Sequence, residues 1–381
     1  MKFLVVSAFL FEPNSGAAGS IRAIDLGLER LGHTVNEVWG VPSSNSRLYE
    51  ELHGKSNRIL SRAHWMLSKH PDTECVIISQ PFACRTIRAL RQKFPKTLFF
   101  NRTHGWEARG IELQNRFGWD PPQGIRRILR PISQQWMNRL CRLAAHHSHA
   151  VIAASSSDGD WIRSRYQLED ERVMVIPYGT DVASLPSAPC TEGSRPNTFV
   201  YAGNFLDRKG ARVLEQVLPK IGMQHPNATI EFFIDAASIS RVEASLRPTW
   251  KNRLKVTKWV SRNSLYEALA RSRFLVLPTY FEGFGKVALE SLALGCGVIG
   301  FREGFLQDLS SEACIVSPVG DTDGFAAALA DAASGKFFGQ ELSAKAIAIG
   351  RQRTWDDVAS DTADTIERFR ERYRGKVGGS N

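Results

Sequence analysis

Phe274-Leu-Val-Leu-Pro278-Thr-Tyr-Phe-Glu282-Gly-Phe-Gly285-Lys-Val-Ala-Leu-Glu290 passes from an apolar run through a glycine-bearing turn into a helical pattern. Four consecutive apolar residues followed by proline read as a strand buried on both faces. Gly283 and Gly285 remove the Cβ atoms that would keep a ligand from the backbone. The N–H groups opening the next helix lack intrahelical acceptors and sit at the positive end of its dipole, which suits a phosphate. Glu282 and Glu290 are separated by a little over two helical turns, so they fall on roughly one face. One carboxylate can then address a sugar and the other a ribose, with a diphosphate between them. The bare spacing also fits carboxylates that are solvated or cap the helix.

Outward from this stretch the chain alternates apolar runs with helical segments, the pattern of parallel sheets covered on both faces. The first series has strands at Phe3 to Ala8, Val35 to Trp39, Cys75 to Ser79, Thr97 to Phe100, Ala150 to Ala154 and Val173 to Ile176. The second has Thr198 to Ala202, Ile230 to Ile234, Leu254 to Thr257, Phe274 to Leu277, Gly297 to Gly300 and Cys314 to Val316. Between them Pro, Ser and Gly accumulate without periodicity. The expected organisation is an N-terminal domain over 1–182, a linker over 183–196, a C-terminal domain over 197–353, a helix over 354–374 and a disordered tail over 375–381. Both domains read as α/β and doubly wound, with ligands expected at the carboxyl ends of the strands.

At 381 residues, with 43% hydrophobic and 23% charged residues, the chain has the composition of a two-domain globular protein. No apolar run approaches the roughly 18–20 residues needed to span a bilayer. The apolar N-terminus reads as a buried first strand rather than a signal peptide. Six cysteines without CxxC spacing fit a reducing cytoplasm and argue against a zinc cluster. A net charge of +10 points to an anionic partner: a nucleoside diphosphate, a nucleic acid or an anionic membrane.

That charge is unevenly spread. No acidic residue lies between Asp120 and Asp158, a stretch containing Arg126, Arg127, Arg130, Arg139 and Arg142. Ile132, Trp136, Met137, Leu140, Leu143 and Ala144 recur at helical spacing on one stripe. Such a basic amphipathic segment can lie on an anionic bilayer, with Arg126, Arg127, Arg130 and Trp136 as its contacts. Alternatively, the helix buries the stripe in its own domain and solvates its arginines. Basic residues are not interleaved with aromatics, and no zinc or helix-turn-helix signature is present, so a nucleic-acid-binding protein is a remote alternative. Asp158-Gly-Asp160 and Asp321-Thr-Asp323 could hold a metal, but their positions beside helices read as caps, and no metal is expected.

Five short markers occur in order: the Gly16 to Gly19 turn, Thr103-His-Gly105, Ile176-Pro-Tyr-Gly-Thr-Asp181, Arg208-Lys-Gly210 and Pro278 through Glu290. Together they resemble the retaining GT-B glycosyltransferases of family 4, the glycosyl transferases group 1. The resemblance implies an acceptor-binding and a nucleotide-sugar-binding Rossmann-like domain facing across a cleft, with the C-terminal helix from Trp355 crossing back to the N-terminal domain. It implies that Gly16 and Gly19 approach the donor diphosphate and that His104 lies near the transferred sugar. Gly203 and Asn204 belong to the phosphate loop, and Arg208 and Lys209 neutralise the leaving diphosphate. Glu282 binds donor-sugar hydroxyls, Gly283, Phe284 and Gly285 hold the diphosphate, and Glu290 binds the ribose. Relatives often carry arginine at position 204 and an apolar residue at 286. Here these are Asn204 and Lys286, which leaves donor identity open.

The implied reaction moves a sugar, with retention, from a nucleoside diphosphate sugar, uridine being the preferred base. The acceptor is a glycan or a lipid-linked glycan in polysaccharide or lipopolysaccharide-type biosynthesis. A metal-independent, cytoplasmic enzyme, peripheral on the inner membrane face, is expected. Alternatives are a transferase acting on a soluble small molecule and a sugar-nucleotide epimerase of the same fold.

Overall fold

A computed structural model describes residues 1–10, 16–40, 55–79, 83–186, 195–259, 261–309, 313–337 and 340–378. The first sheet contains β1 (Lys2–Leu10), β2 (Thr34–Gly40), β3 (Cys75–Ser79), β4 (Leu98–Arg102), β5 (Ala150–Ala153) and β6 (Val173–Val175). All its pairings are parallel, in the order β2-β1-β3-β4-β5-β6. The second sheet contains β7 (Thr198–Ala202), β8 (Thr229–Ile234), β9 (Leu254–Lys258), β10 (Phe274–Leu277), β11 (Gly297–Phe301) and β12 (Cys314–Ser317). It too is parallel throughout, in the order β12-β11-β10-β7-β8-β9. The expected α/β, doubly wound class is therefore observed. Continuous apolar runs produce it, because β3, β4, β5, β10 and β11 are buried along their whole length.

Topology fixes where a ligand can sit. The second sheet grows outward in both directions from the adjacent strands β7 and β10, which pair Phe199 with Phe274 and Val200 with Leu275. At such a switch point the helices that follow the two strands go to opposite faces of the sheet, and the loops leading into them gather at the strand ends, where such sheets bind ligands. Those loops carry Gly203 to Gly210 and Pro278 to Gly285.

By its contacts the chain divides into one unit of Met1–Glu112, Pro122–Tyr178 and Trp355–Asn381, and a second of Leu113–Pro121 and Gly179–Thr354. Residues 113–121, placed by sequence in the first domain, group with the second unit because Phe117 and Trp119 pack on Tyr280 at ring separations of 5.2 and 5.5 Å. Within the second unit, the main chain after Tyr178 pairs with that before Trp355: Thr180 N–H donates to Arg353 O, and its Oγ1 donates to Gly350 O. Residues 187–194 of the expected linker lie outside the described residues.

The closing helix, Trp355–Gly378, packs on the Gly16–Arg30 helix of the first unit. A Cβ on Gly27 would come within 2.6 Å of Ala359 Cβ, so glycine is what permits the approach. Arg102 donates to Thr362 Oγ1 at 2.9 Å, and Arg370 pairs with Glu74. The helix runs past Gly375, where the sequence suggested a disordered tail, to Gly378; residues 379–381 lie outside the described residues.

Candidate functional site

The switch point of the second sheet gathers most of the expected donor residues. Gly203, at φ +134°, ends β7, and its N–H donates to Phe233 O. Asn204 is exposed beyond it. A short helical turn, Asp207–Lys209, then presents Arg208 and Lys209. Gly210 follows at φ +84°, where a Cβ would stand 2.2 Å from Pro278 O. Only glycine lets this loop touch the one after β10.

Two further bonds latch the loops together: Tyr280 N–H donates to Arg208 O at 2.9 Å, and Arg208 Nη1 donates to Phe281 O at 2.5 Å. Lys209 Nζ meets Glu282 Oε2 at 2.7 Å, with each side chain 19% exposed. Burial alone would raise the Glu282 carboxyl. The charges of Lys209 and Arg208, with the Lys209 hydrogen bond, outweigh burial and hold it below the ordinary glutamate value. A carboxylate fixed in its ionised form is a hydrogen-bond acceptor suited to hydroxyl groups.

Gly285, at φ +89°, opens the Lys286–Ala293 helix and brings Gly283 to Gly285 ahead of its first turn. Glu290 lies one turn beyond Lys286 in a different setting from Glu282. Its nearest cation among the ion pairs is Arg262, at 3.9 Å. Here burial wins over Arg262, Lys286 and a hydrogen bond to Tyr266, so the Glu290 carboxyl is raised. Burial also brings the Lys286 ammonium down to about 8, despite the pull of Glu290. The two glutamates are thus shifted in opposite directions, Glu282 down and Glu290 up.

Glu303 was not found from the sequence. It is buried, and its Oε1 accepts from the Glu282 N–H at 3.1 Å. Next to it Gly304, at φ +59°, lies so close to Phe284 O that a Cβ would be 2.7 Å away, and Phe305 N–H donates to the same oxygen. Residues 303–305 therefore clamp the 282–284 loop from β11. Arg262 and Tyr266, which face Glu290, were missed as well. Arg262 and Tyr266 share the Arg262–Arg271 helix, and only the fold brings that helix to Glu290 and Glu303 to Glu282.

The remaining expected residues lie in the first unit. His104 Nδ1 is 2.5 Å from Tyr178 Oη, and Phe9 packs edge-on against its ring. Tyr178, from the Ile176 to Asp181 marker, is buried, which pushes its phenol well up, and its ring packs at a tilt against Trp355. Gly16 and Gly19 do not form the expected turn before the helix. They belong to the first turn of the Gly16–Arg30 helix, where Ser20 Oγ donates to Gly16 O at 2.7 Å.

Asp158 does not cap its helix either. Ser155 does, and the buried Asp158 carboxylate accepts from Trp106 N–H at 3.0 Å and pairs with Arg109 at 3.2 Å. It thereby ties down the backbone just after His104. Asp321 caps the Thr322–Ala333 helix through Gly324 N–H at 2.9 Å, as expected. Arg126, Arg127, Arg130 and Trp136 all fall in the Arg126–His147 helix of the first unit.

Comparison with known proteins follows the same division of the chain. A model of Glycosyltransferase Family 4 matches residues 15–184, and one of Glycosyl transferases group 1 matches residues 196–334. Glycogen synthase of Mycobacterium tuberculosis is 27% identical over 235 residues, 57% of this chain and 53% of that one. Phosphatidyl-myo-inositol mannosyltransferase of Mycolicibacterium smegmatis is 28% identical over 195 residues, 49% of each chain. The chain thus spans about half the length of the curated relatives it matches. Among solved structures, sucrose-phosphate synthase from Thermosynechococcus elongatus superposes with a TM-score of 0.76 at 16% identity, covering 100% of both chains. The apo form of the lipopolysaccharide outer core galactosyltransferase WaaB gives 0.70 at 15% identity, covering 96% of this chain and 99% of that one. At these identities the structures speak for a shared GT-B fold. With both family models in chain order and the fold in agreement, the chain belongs to the family 4, group 1 glycosyltransferases.

Proposed function

We propose that the protein transfers a sugar from a nucleoside diphosphate sugar, with retention at the anomeric carbon, to a glycan or lipid-linked acceptor. The observation that carries this reading is the Lys209–Glu282 pair at the β7/β10 switch point, directly ahead of the Gly285-opened helix. Ammonium, guanidinium and helix-start N–H groups converge there with a carboxylate held ionised, a set that suits an anionic diphosphate bearing a hydroxyl-rich sugar. Glu290, one turn into the helix, receives the ribose, and Lys286 beside it supplies the cation that Asn204 does not.

In the proposed step the bond from the anomeric carbon to the diphosphate oxygen breaks, and its electron pair leaves with the diphosphate. Arg208 and Lys209 stabilise that developing charge. The acceptor hydroxyl attacks from the same face and passes its proton to the leaving phosphate oxygen. His104, oriented by Tyr178, faces the transferred sugar. The protein's share is positioning and electrostatics, and the chemistry requires no metal. Uridine is the preferred base, and the acceptor belongs to cell-surface polysaccharide or lipopolysaccharide-type synthesis at the inner membrane face. The named activities of the galactosyltransferase and mannosyltransferase relatives support that direction.

The test is a thermal-shift and donor-hydrolysis screen against UDP-, GDP- and ADP-sugars without added metal, with Glu290→Ala and Lys209→Ala alongside. One nucleotide should stabilise the wild type, with slow hydrolysis of its sugar, and both variants should lose the response. Absence of any response, or wild-type behaviour of the variants, removes the assignment.

A further inference from the structure

Three helices of the first unit, Lys55–Lys69, Ala83–Lys93 and Arg126–His147, cover one side of its sheet. Their inward residues, among them Ile59, Ala63, Ile87, Leu90, Leu140 and Ala144, share one core with β1, β3 and β4. Within their bounds these helices contain four, four and five Lys or Arg residues and not a single Asp or Glu. Carboxylates are not scarce elsewhere in the unit. The Gly16–Arg30 helix has Asp25 and Glu29, and the Trp355–Gly378 helix packed on it opens with Asp356 and Asp357. Negative charge has been kept off one layer only.

The same layer exposes aliphatic surface. The stripe expected from sequence divides in two along the Arg126–His147 helix: Leu140 and Ala144 are buried in the core, whereas Ile132 and Trp136 are not. Ile125, Ile128, Leu129 and Ile132 are 72, 71, 52 and 62% exposed, and Trp136 is 41% exposed. Steps of three, one, three and four residues put these five side chains on one stripe of the helix. Arg126, Arg127 and Arg130 fall on its flank and opposite side. The Trp136 ring lies under the Arg85 guanidinium, 5.7 Å away, which joins this stripe to the neighbouring helix. On the Lys55–Lys69 helix Trp65 is 59% exposed beside the Lys69 ammonium, 5.2 Å from its ring.

We propose that this acid-free face, led by the Ile125 to Trp136 segment, docks on an anionic lipid bilayer. Cations alone would serve a nucleic acid equally well, but four exposed branched aliphatic side chains gain nothing from phosphates and much from the acyl boundary. Twelve helical residues extend about 18 Å, enough to lie along the interface and too short to cross it. Among the described residues no helix is long and apolar enough to span a membrane. Arginines flanking the stripe meet the lipid phosphates while Trp136 and Trp65 sit at headgroup depth. The inference rests on the lipid-linked acceptor of the proposed function only for its purpose, since vesicle binding requires neither donor nor acceptor.

Flotation of the full chain with vesicles of phosphatidylcholine, with or without 30% phosphatidylglycerol, tests it. Association with the anionic vesicles should exceed that with neutral ones by about tenfold and weaken at high salt. Arg126→Ala/Arg127→Ala/Arg130→Ala should lose about tenfold, and Ile128→Ser/Ile132→Ser should lose the salt-resistant fraction. Lys220→Ala, an exposed cation of the second unit, should bind as wild type. An unchanged nucleotide-induced thermal shift in the variants separates this result from misfolding and from failure of the donor site. Equal binding to neutral and anionic vesicles, or wild-type binding by both multiple variants, overturns the proposal. So does tighter binding to duplex DNA than to anionic vesicles, or an Ile128-dependent dimer in place of vesicle binding.

Discussion

Replacing Lys209 by methionine keeps the length and bulk of the side chain while removing the cation that Glu282 faces at 2.7 Å. Breaking one partner out of a fully buried pair costs about 3–5 kcal/mol, because the remaining charge is stranded. Here a fifth of each side chain reaches solvent, and Arg208 still acts on Glu282, so the expected cost falls to about 1–2 kcal/mol. For a unit of this size each kcal/mol lowers the melting temperature by about 2–4 °C, giving about 2–8 °C for Lys209→Met. Adding Glu282→Gln removes the stranded charge and should recover most of the loss.

The pH dependence provides a sharper criterion. Glu282 is depressed in the folded state, so its pair stabilises the fold above the ordinary glutamate value and is lost as pH falls through the lower folded value. In Lys209→Met burial becomes dominant and the carboxyl moves up, so ionised Glu282 is a penalty at pH 7 that protonation relieves. The gap between wild type and variant should be widest near pH 7 and close towards pH 4. Melting curves of the four proteins of the cycle at pH 4, 5.5 and 7 measure it. The reasoning is refuted if the gap is the same at pH 4 and pH 7, or if the double variant is as unstable as the single one. Neither variant should respond to nucleoside diphosphates, because restoring stability does not restore the cation.

Gly210→Ala places a Cβ 2.2 Å from Pro278 O at φ +84°, strain of about 1–3 kcal/mol from the backbone alone. A lower melting temperature and loss of nucleotide response are expected by differential scanning fluorimetry, while a wild-type response would show that the two loops need not touch. Glu290 is raised in the folded state, so its favourable contribution is present below the ordinary glutamate value and lost as pH rises through the folded one. Glu290→Gln should therefore melt higher than wild type at pH 7, lose that gain by pH 4, and bind nucleoside diphosphates more weakly by calorimetry. Tyr178→Phe removes the hydroxyl 2.5 Å from His104 Nδ1; turnover should fall about tenfold while donor affinity stays unchanged, the split expected of a positioning residue.

The contrast between the two glutamates also marks how far the sequence could be read. All twelve strands were legible because a strand buried on both faces needs consecutive apolar residues, and Phe274 to Leu277 or Cys75 to Ser79 can form little else. The resemblance of Arg208-Lys-Gly210 and Pro278 through Glu290 to the family markers then put Arg208, Lys209 and Glu282 in one neighbourhood, and the adjacent strands β7 and β10 bring their loops together. Their charge states could not. Glu282 is held ionised by a lysine from the loop after β7, and Glu290 is raised by burial that Arg262 and Lys286 only partly offset. Burial and partner distance are tertiary quantities that spacing does not encode. The same holds for Glu303, whose carboxylate fixes the Glu282 N–H from β11, and for Asp158, read as a cap but used to pin the backbone after His104. Helical periodicity likewise located the apolar stripe of the Arg126–His147 helix without showing that Leu140 and Ala144 meet the core while Ile132 does not. Periodicity gives the direction of a side chain about its own helix. Whether anything lies in that direction depends on where the neighbouring elements end, and here they end after the helix's second half.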